Sequence, residues 1–397
     1  MNTVQRAISV ALVAVAGANS SPVRVYYLGN SLTDELKYDQ FVELVRHAGA
    51  DIVWGRHMIP GAPIRWLWGV TNGFSERPFG TWATALREYE WDVVTLQPFN
   101  PFEREFEYAR RFCAEIVRRS PAAEVLIYAQ WPSKQRGADW DVAFAGAMDA
   151  GRAEGPDSFA SRAAAAPAPW RERFRQRSLR NEYELMVVSL NADHATPRPV
   201  RLIPVGHVMQ LLGQKMRAGL LPGYRTVWDL YSDGIHLNND GSYLVACTFF
   251  ATIFRRSPLD LPLAGYQGRP GHGADGVQIS PDIAQRFRET VWEVVATHPL
   301  CGVTSGLPVR VATPALVPAV MGEPYRMELL PAFGCGPYVW ANAGPPLPAG
   351  LELDREGVIR GTPQGSAAAV ELAVKVTDAA GGAAVGRFAL LIEPDRP

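Results

Sequence analysis

The fold is indicated by residues 23–34, VRVYYLGNSLTD, in which an apolar run leads through a short turn into a helical pattern. After the turn, apolar side chains recur at helical spacing from Leu36 to Ala48. Strands separated by helices in this way predict a parallel sheet with helices on both faces. Further strands are predicted at residues 51–54, 92–97, 124–130 and 201–205, and further helices at 103–119, 181–195, 207–218, 241–256 and 281–298.

Composition limits the class of protein. The chain has 397 residues, of which 47% are hydrophobic and 20% are charged, so a sizeable core is available. Its formal net charge of −1 gives no electrostatic basis for binding nucleic acid or an anionic membrane surface. No apolar stretch is long enough to predict a membrane span.

The first residues are typical of an export signal. Arg6 precedes a run of apolar and small residues at 7–17, and Ala16-Gly17-Ala18 matches the A-x-A cleavage pattern. The run is too short for a bilayer, which needs about 20 residues; the alternative is a first buried strand or helix. We predict that residues 1–18 form a signal peptide cleaved after Ala18, and that the mature protein is secreted or periplasmic.

The sequence contains four cysteines, Cys113, Cys247, Cys301 and Cys335, and no C-x-x-C spacing. An oxidising compartment would permit disulfides among them. Cys113 and Cys247 occupy core-facing positions of helical patterns, and we predict buried free thiols there. The spacing does not indicate a zinc or redox site.

The sequence changes character after Cys301. Residues 309–397 are rich in Pro, Gly, Val and Ala, with short alternating runs between turn signals and no helical period. This pattern predicts a small β-sandwich, with a domain boundary near residues 302–308. Earlier in the chain, residues 143–169 show no clear period, which is compatible with a lid, an insertion or a plain surface loop.

Two separated segments supply a serine, a histidine and an aspartate. Ser31 lies between a predicted strand and a predicted helix, at the sheet edge where open α/β proteins bind ligands. In Asp233-Gly234-Ile235-His236, His236 is a candidate general base for the Ser31 hydroxyl, and Asp233 can accept its Nδ1–H. Taken singly, the first segment is a helix cap and the second a turn. Taken together, they indicate nucleophilic acyl transfer.

These segments resemble the first and last sequence blocks of the SGNH (GDSL-type) hydrolases, in the same order along the chain. The resemblance covers residues 22–302 and implies a flavodoxin-like three-layer α/β/α fold, ester hydrolysis and no cofactor. It also implies an oxyanion hole formed by Ser31, Gly61 and Asn100. Two positions depart from the family pattern: Asn30 replaces the usual aspartate, and Pro98-Phe99-Asn100-Pro101 replaces Gly-x-Asn-Asp. Gln97 is therefore an alternative third donor.

Residues 308–395 resemble the Ig-like domains appended to bacterial extracellular enzymes, through segments 347–351, 357–363 and 376–378. Some relatives of these modules bind calcium. The local carboxylates Asp354, Glu356 and Asp378 form no evident ligand cluster, and we predict no metal.

The resemblance implies a secreted serine esterase that hydrolyses short acyl esters, chiefly acetyl esters. Tryptophans outside the clearest helices slightly favour carbohydrate substrates. One alternative is a catalytically silent glycan-binding or adhesive protein that retains the fold. Another is a metal-dependent hydrolase that uses Asp34, Asp233 and His236.

Three further histidines lie apart from these motifs. His57 is in a short polar segment and His207 opens a predicted helix, so surface or capping positions are expected for both. His298 ends the last predicted helix and is expected to face solvent.

Overall fold

The computed structural model describes residues 21–99, 102–148, 155–266 and 279–394. The predicted signal peptide at 1–18 lies outside these residues. An α/β part extends from Val23 to Val295, and a β part extends from Arg310 to Glu393.

Six strands form the central sheet of the α/β part, in the order β3-β2-β1-β4-β5-β6. They are β1 (Val23–Gly29), β2 (Ile52–Met58), β3 (Phe74–Ser75), β4 (Val93–Leu96), β5 (Glu124–Tyr128) and β6 (Arg201–Ile203). Neighbours pair in parallel, except that the short edge strand β3 is antiparallel to β2. Without β3, the parallel strands follow the flavodoxin-like order 2-1-3-4-5. The predicted flavodoxin-like α/β class is therefore confirmed.

Helices cover both faces of this sheet. Their bounds are α1 (Tyr38–His47), α2 (Ile64–Gly69), α3 (Trp82–Glu88), α4 (Phe102–Arg119), α5 (Trp140–Ala145), α6 (Phe159–Ala165), α7 (Ala168–Arg171), α8 (Leu179–Ala192), α9 (Val205–Arg217), α10 (Asn239–Phe254) and α11 (Pro281–Val295).

Two adjacent tyrosines on β1 demonstrate the layering. Successive side chains of a strand point to opposite faces. The Tyr27 ring lies 6.2 Å from that of Phe249 on α10. The Tyr26 ring lies 5.0 Å from Trp91, and its hydroxyl donates to the carbonyl of Gly80, just before α3. The buried core therefore lies on both sides of β1, with α10 on one face and α3 on the other.

The described parts of residues 143–169 are largely helical. Ser158 caps α6 by accepting a hydrogen bond from Ser161 N. Phe159 is buried, and its ring meets that of Phe102 on α4 edge-on at 5.8 Å. The described residues of this segment therefore form short helices that pack on the core.

The β part contains three small sheets, in the orders β11-β14-β15-β8, β12-β13-β9 and β10-β7. Its strands are β7 (Arg310–Val311), β8 (Ala319–Val320), β9 (Tyr325–Glu328), β10 (Pro331–Ala332), β11 (Val339–Asn342), β12 (Leu351–Leu353), β13 (Val358–Gly361), β14 (Ala368–Thr377) and β15 (Ala383–Glu393). Trp340, Ile359 and Leu390 belong to a hydrophobic core of its own. The predicted C-terminal Ig-like β region is confirmed.

A buried ion pair joins the two parts. Arg180 on α8 contacts Glu328 on β9 at 2.6 Å, and their side chains are 8% and 11% exposed. Gln210 and Gln214 on α9 also donate to Glu328. Because a buried charge is costly without partners, this contact fixes β9 against α8 and α9.

The free thiols predicted at Cys113 and Cys247 are found in the structure. All four cysteines are free, and Cys113 and Cys247 are buried as expected. Within the described residues, no helix combines the length and apolarity that a bilayer crossing requires.

Candidate active site

Ser31 lies in a tight turn directly after β1. The backbone N–H of Asn30 donates to Gln97 Oε1 at 3.0 Å, and Asn30 Oδ1 accepts from Leu32 N at 3.0 Å. A Cβ at Gly29 would lie 2.1 Å from Thr33 Oγ1, so only glycine fits there. The turn follows the carboxyl end of β1, next to β4, where the strand order reverses and ligands bind in folds of this kind.

The second segment brings His236 to Ser31. His236 Nε2 lies 2.9 Å from Ser31 Oγ, and His236 Nδ1 lies 2.7 Å from Asp233 Oδ2. The other carboxylate oxygen of Asp233 accepts the backbone N–H groups of Ile235 and His236, each at 2.7 Å. The structure therefore brings together Ser31, Asp233 and His236, the three residues that the sequence predicted to act together.

The hydrogen bonds keep Asp233 charged. Burial alone would raise the pKa of Asp233, but the N–H groups of Ile235 and His236 lower it to about 2. A charged carboxylate accepts the Nδ1–H of His236. The imidazole then presents the Nε2 lone pair to the Ser31 hydroxyl, which is the tautomer that a general base requires.

The segment after β5 fixes the loop that carries Asp233 and His236. Trp131 Nε1 donates to the Ile235 carbonyl at 2.7 Å, and Lys134 N donates to the Gly234 carbonyl at 2.8 Å. Sequence reasoning did not find this support, because Trp131 is more than one hundred residues from its partner. The only signal for this support in the sequence is a tryptophan that directly follows a predicted strand.

The turn that contains Gly61 lies beside the Ser31 turn. Ala62 N donates to the Ile59 carbonyl at 3.1 Å, and Asn30 Nδ2 donates to the Ala62 carbonyl at 3.1 Å. Gly61 has a φ of +66°, which favours glycine, whereas a Cβ there would meet no atom within 4 Å. The backbone N–H groups of Ser31 and Gly61 have no protein acceptor in the part of the chain that the structure describes.

The third predicted donor cannot be located in the same way, since Asn100 lies outside the described residues. Gln97, its alternative, is fully buried. Its Oε1 accepts from Thr33 Oγ1 at 2.7 Å, and its Nε2 donates to Gln130 Oε1 at 2.5 Å. In this structure the Gln97 side chain supports the Ser31 turn through its Oε1, and one N–H of its amide is used by Gln130.

The structure does not support the metal trio of Asp34, Asp233 and His236. Asp34 Oδ2 pairs with Arg56 Nη1 at 2.8 Å. Among the described residues, the histidine, cysteine and carboxylate side chains close enough to share an ion are Glu184, His207 and His298, which form a separate cluster.

This cluster corrects two expectations. His207 is buried and its Nε2 lies 2.8 Å from Glu184 Oε1, while His298 Nε2 lies 3.3 Å from the same oxygen. Burial would raise the pKa of Glu184, but Arg173 and both histidines hold it well below its usual range. Burial lowers the pKa of His207 to about 3. Arg173 donates a hydrogen bond to Glu184 Oε1 and lies against its Oε2, which balances the carboxylate charge, so the cluster is an internal hydrogen-bond network rather than a cation site.

His57 also differs from expectation. It lies within β2 rather than in a polar turn, and it is fully buried. Its Nε2 lies 2.7 Å from the Asn72 carbonyl. His57 and His207 are therefore both buried core residues whose hydrogen-bond partners, Asn72 and Glu184, lie on other segments of the chain.

Comparison with known proteins finds a family-model match in the last quarter of the chain. The family model described as "Putative Ig domain" (He_PIG) matches residues 307–393. A search of curated protein sequences finds no match. A DUF4886 family protein from Bacteroides uniformis is 15% identical, over 68% of this chain and 93% of its own, with a TM-score of 0.42. A GDSL-like lipase from Parabacteroides merdae is 12% identical, over 57% of this chain and 94% of its own, with a TM-score of 0.34.

Proposed function

We propose that this protein is an exported serine esterase of the SGNH type. The observation that supports this best is the continuous hydrogen-bond relay from Asp233 through His236 to Ser31 Oγ. A serine hydroxyl is a poor nucleophile until a base takes its proton, and this relay supplies an oriented base. Its position beside the point where the strand order reverses is also where this fold binds ligands.

In the proposed reaction, Ser31 Oγ attacks the ester carbonyl carbon as His236 Nε2 takes the hydroxyl proton. The negative oxygen of the tetrahedral intermediate is held by the backbone N–H groups of Ser31 and Gly61, with Asn100 as the third donor. The intermediate collapses, and His236 returns the proton to the leaving alcohol. Water then attacks the acyl-enzyme with His236 as base again, which releases the carboxylic acid and restores the Ser31 hydroxyl.

We further propose short acyl esters, chiefly acetyl esters on carbohydrates, as substrates. Support comes from the SGNH resemblance and from Trp66, whose side chain is 55% exposed on α2, just after the Gly61 turn. An exposed indole face suits stacking on a sugar ring. Export is proposed from the signal-like residues 1–18 and from the Ig-like region that follows the α/β part.

The test is hydrolysis of a panel of esters, from acetyl to long acyl chains and including acetylated sugars. Wild type is compared with Ser31→Ala and with a matched control, Ser232→Ala, which removes a hydroxyl next to Asp233 but outside the relay. We expect turnover that prefers acetyl esters, a fall of at least about 10³-fold in Ser31→Ala, and little change in Ser232→Ala.

Two results would count against the proposal. A folded wild type without activity on any ester would favour the catalytically silent glycan-binding protein. Measured binding to glycans would then support that alternative. Activity that survives Ser31→Ala and disappears with a chelator would favour metal-dependent hydrolysis.

A further inference from the structure

A buried carboxylate lies beneath the two segments that carry predicted oxyanion donors. Glu105 on α4 is fully buried. Its Oε2 accepts the backbone N–H groups of Ile64 and Phe99, each at 2.9 Å, and Arg65 Nη1 lies 3.3 Å from its Oε1. One side chain thus joins the segment after β2 to the segment after β4.

Backbone N–H groups and a cation surround this carboxylate. An unpaired charge in the core is strongly unfavourable, so Glu105 is tolerated because donors surround it. Burial raises the pKa of Glu105, while the N–H groups of Phe99 and Ile64 and the Arg65 cation oppose that rise. Two backbone donors that converge on one oxygen also fix the distance between their segments.

The two segments matter because of what they carry. Ile64 follows Gly61 by three residues, within the turn and the start of α2, and Phe99 directly precedes Asn100. We propose that Glu105 is a positioning residue, which holds the Gly61 turn against the segment after β4, at Phe99, in the register that oxyanion stabilisation requires. This role rests on the proposed esterase function. Glu105 itself is not proposed to touch the substrate.

The substitution that tests this role is Glu105→Gln. The amide keeps the shape, but it has one acceptor oxygen where the carboxylate has two, and its NH₂ must face either Arg65 or the backbone donors. A displacement of about 1 Å in a positioned group costs about 10²-fold in rate. We therefore expect kcat/KM to fall by about 10–100-fold, through kcat, with KM within about threefold.

The same helix offers a matched control. Glu115 is also buried, 5% exposed, and pairs with Arg87 at 2.6 Å and Arg118 at 2.9 Å. It lies further along α4, about 15 Å from Glu105 at the helical rise per residue. Glu115→Gln removes a buried carboxylate from α4 without touching either donor segment, so its kcat/KM should stay within about twofold of wild type.

A readout other than rate separates positioning from general loss of structure. A trifluoromethyl ketone forms a tetrahedral adduct on the serine, and its negative oxygen binds to the oxyanion donors. The ground-state substrate, whose binding contributes to KM, does not make these contacts. In Glu105→Gln, its inhibition constant should rise by the same factor as kcat/KM falls. The concentration of active sites is measured by titration with a fluorophosphonate, so that unfolded protein does not enter the comparison.

The outcomes are distinct. A wild type that hydrolyses no ester overturns the proposed function and this role with it. If the wild type is active and Glu105→Gln and Glu115→Gln have equal kcat/KM, the positioning role of Glu105 is overturned while the proposed esterase function stands. If Glu105→Gln does not fold, amide exchange in the wild type decides: slow exchange at Ile64 and Phe99 supports the clamp, and exchange at the rate of an open loop overturns it.

Discussion

Replacement of Asp233 by asparagine should trap His236 in the wrong tautomer. Asp233 Oδ1 accepts two backbone N–H groups at 2.7 Å, from Ile235 and His236, and Oδ2 faces His236 Nδ1. In Asp233→Asn, the single amide oxygen satisfies the two backbone donors, so the NH₂ group faces Nδ1. Nδ1 must then be an acceptor, which places the proton on Nε2 and leaves Ser31 without a base.

The magnitude follows from the two backbone bonds. Turning the amide to present its oxygen to His236 would break both, at about 0.5–1.5 kcal/mol each, and would set the NH₂ against the same donors. A preference of about 2–3 kcal/mol corresponds to a loss of about 30–150-fold, at about 1.4 kcal/mol per tenfold. Loss of the negative charge beside the imidazolium adds to this, and we expect kcat/KM to fall by about 10²–10⁴-fold in total.

Asp229→Asn is the matched control. Asp229 Oδ2 also accepts two backbone N–H groups, from Arg225 at 2.6 Å and Thr226 at 3.0 Å, in the same region of the chain. Its carboxylate caps the short helical turn that begins at Thr226, outside the relay from Asp233 to Ser31, so its asparagine variant should keep kcat/KM within about twofold.

The assay is hydrolysis of 4-nitrophenyl acetate near neutral pH, with active sites counted and melting temperatures measured for each variant. A folded Asp233→Asn that stays within tenfold of Asp229→Asn would refute the tautomer argument.

Three further predictions concern the framework. Gln97→Leu leaves two buried donors of the Ser31 turn without an acceptor, so urea unfolding should show a loss of about 2–4 kcal/mol. In the folded protein the pKa of His207 is lowered to about 3, whereas in the unfolded chain it has its ordinary value near 6.5. Between these two pH values only the unfolded chain takes up the proton, so the free energy of unfolding should fall by about 1 kcal/mol for each unit that the pH is lowered. In His207→Asn the melting temperature should fall less steeply over the same pH range. Glu328→Ala leaves Arg180 buried without its partner, so the free energy of unfolding should drop by about 3–5 kcal/mol, measured by calorimetry.

The sequence predicted those features that depend on local pattern. Alternating strands and helices predicted a parallel sheet with helices on both faces, and the resemblance to the SGNH hydrolases implied its flavodoxin-like order. The Asp-x-x-His spacing placed Asp233 and His236 in one loop, where they contact each other. The short strand β3 and helices α2 and α3 were missed, because elements of so few residues carry little periodic signal.

The sequence could not predict contacts between distant elements. Glu105 appears in the sequence as one charged residue on an amphipathic helix, and only the fold brings Ile64 and Phe99 to it. His207 and His298 were expected at the surface, because their partner Glu184 lies on another helix. A polar residue without a local partner is therefore a weak guide to exposure.

The central claim is that His236 activates Ser31, and labelling with a fluorophosphonate tests it most directly. The reagent is incubated with the folded protein, and the site of the adduct is found by peptide mass spectrometry. We predict one adduct on the peptide that contains Ser31, none in Ser31→Ala, and labelling slowed by at least about 10²-fold in His236→Ala. A folded wild type that takes no adduct on Ser31, or that reacts equally fast without His236, would contradict the account.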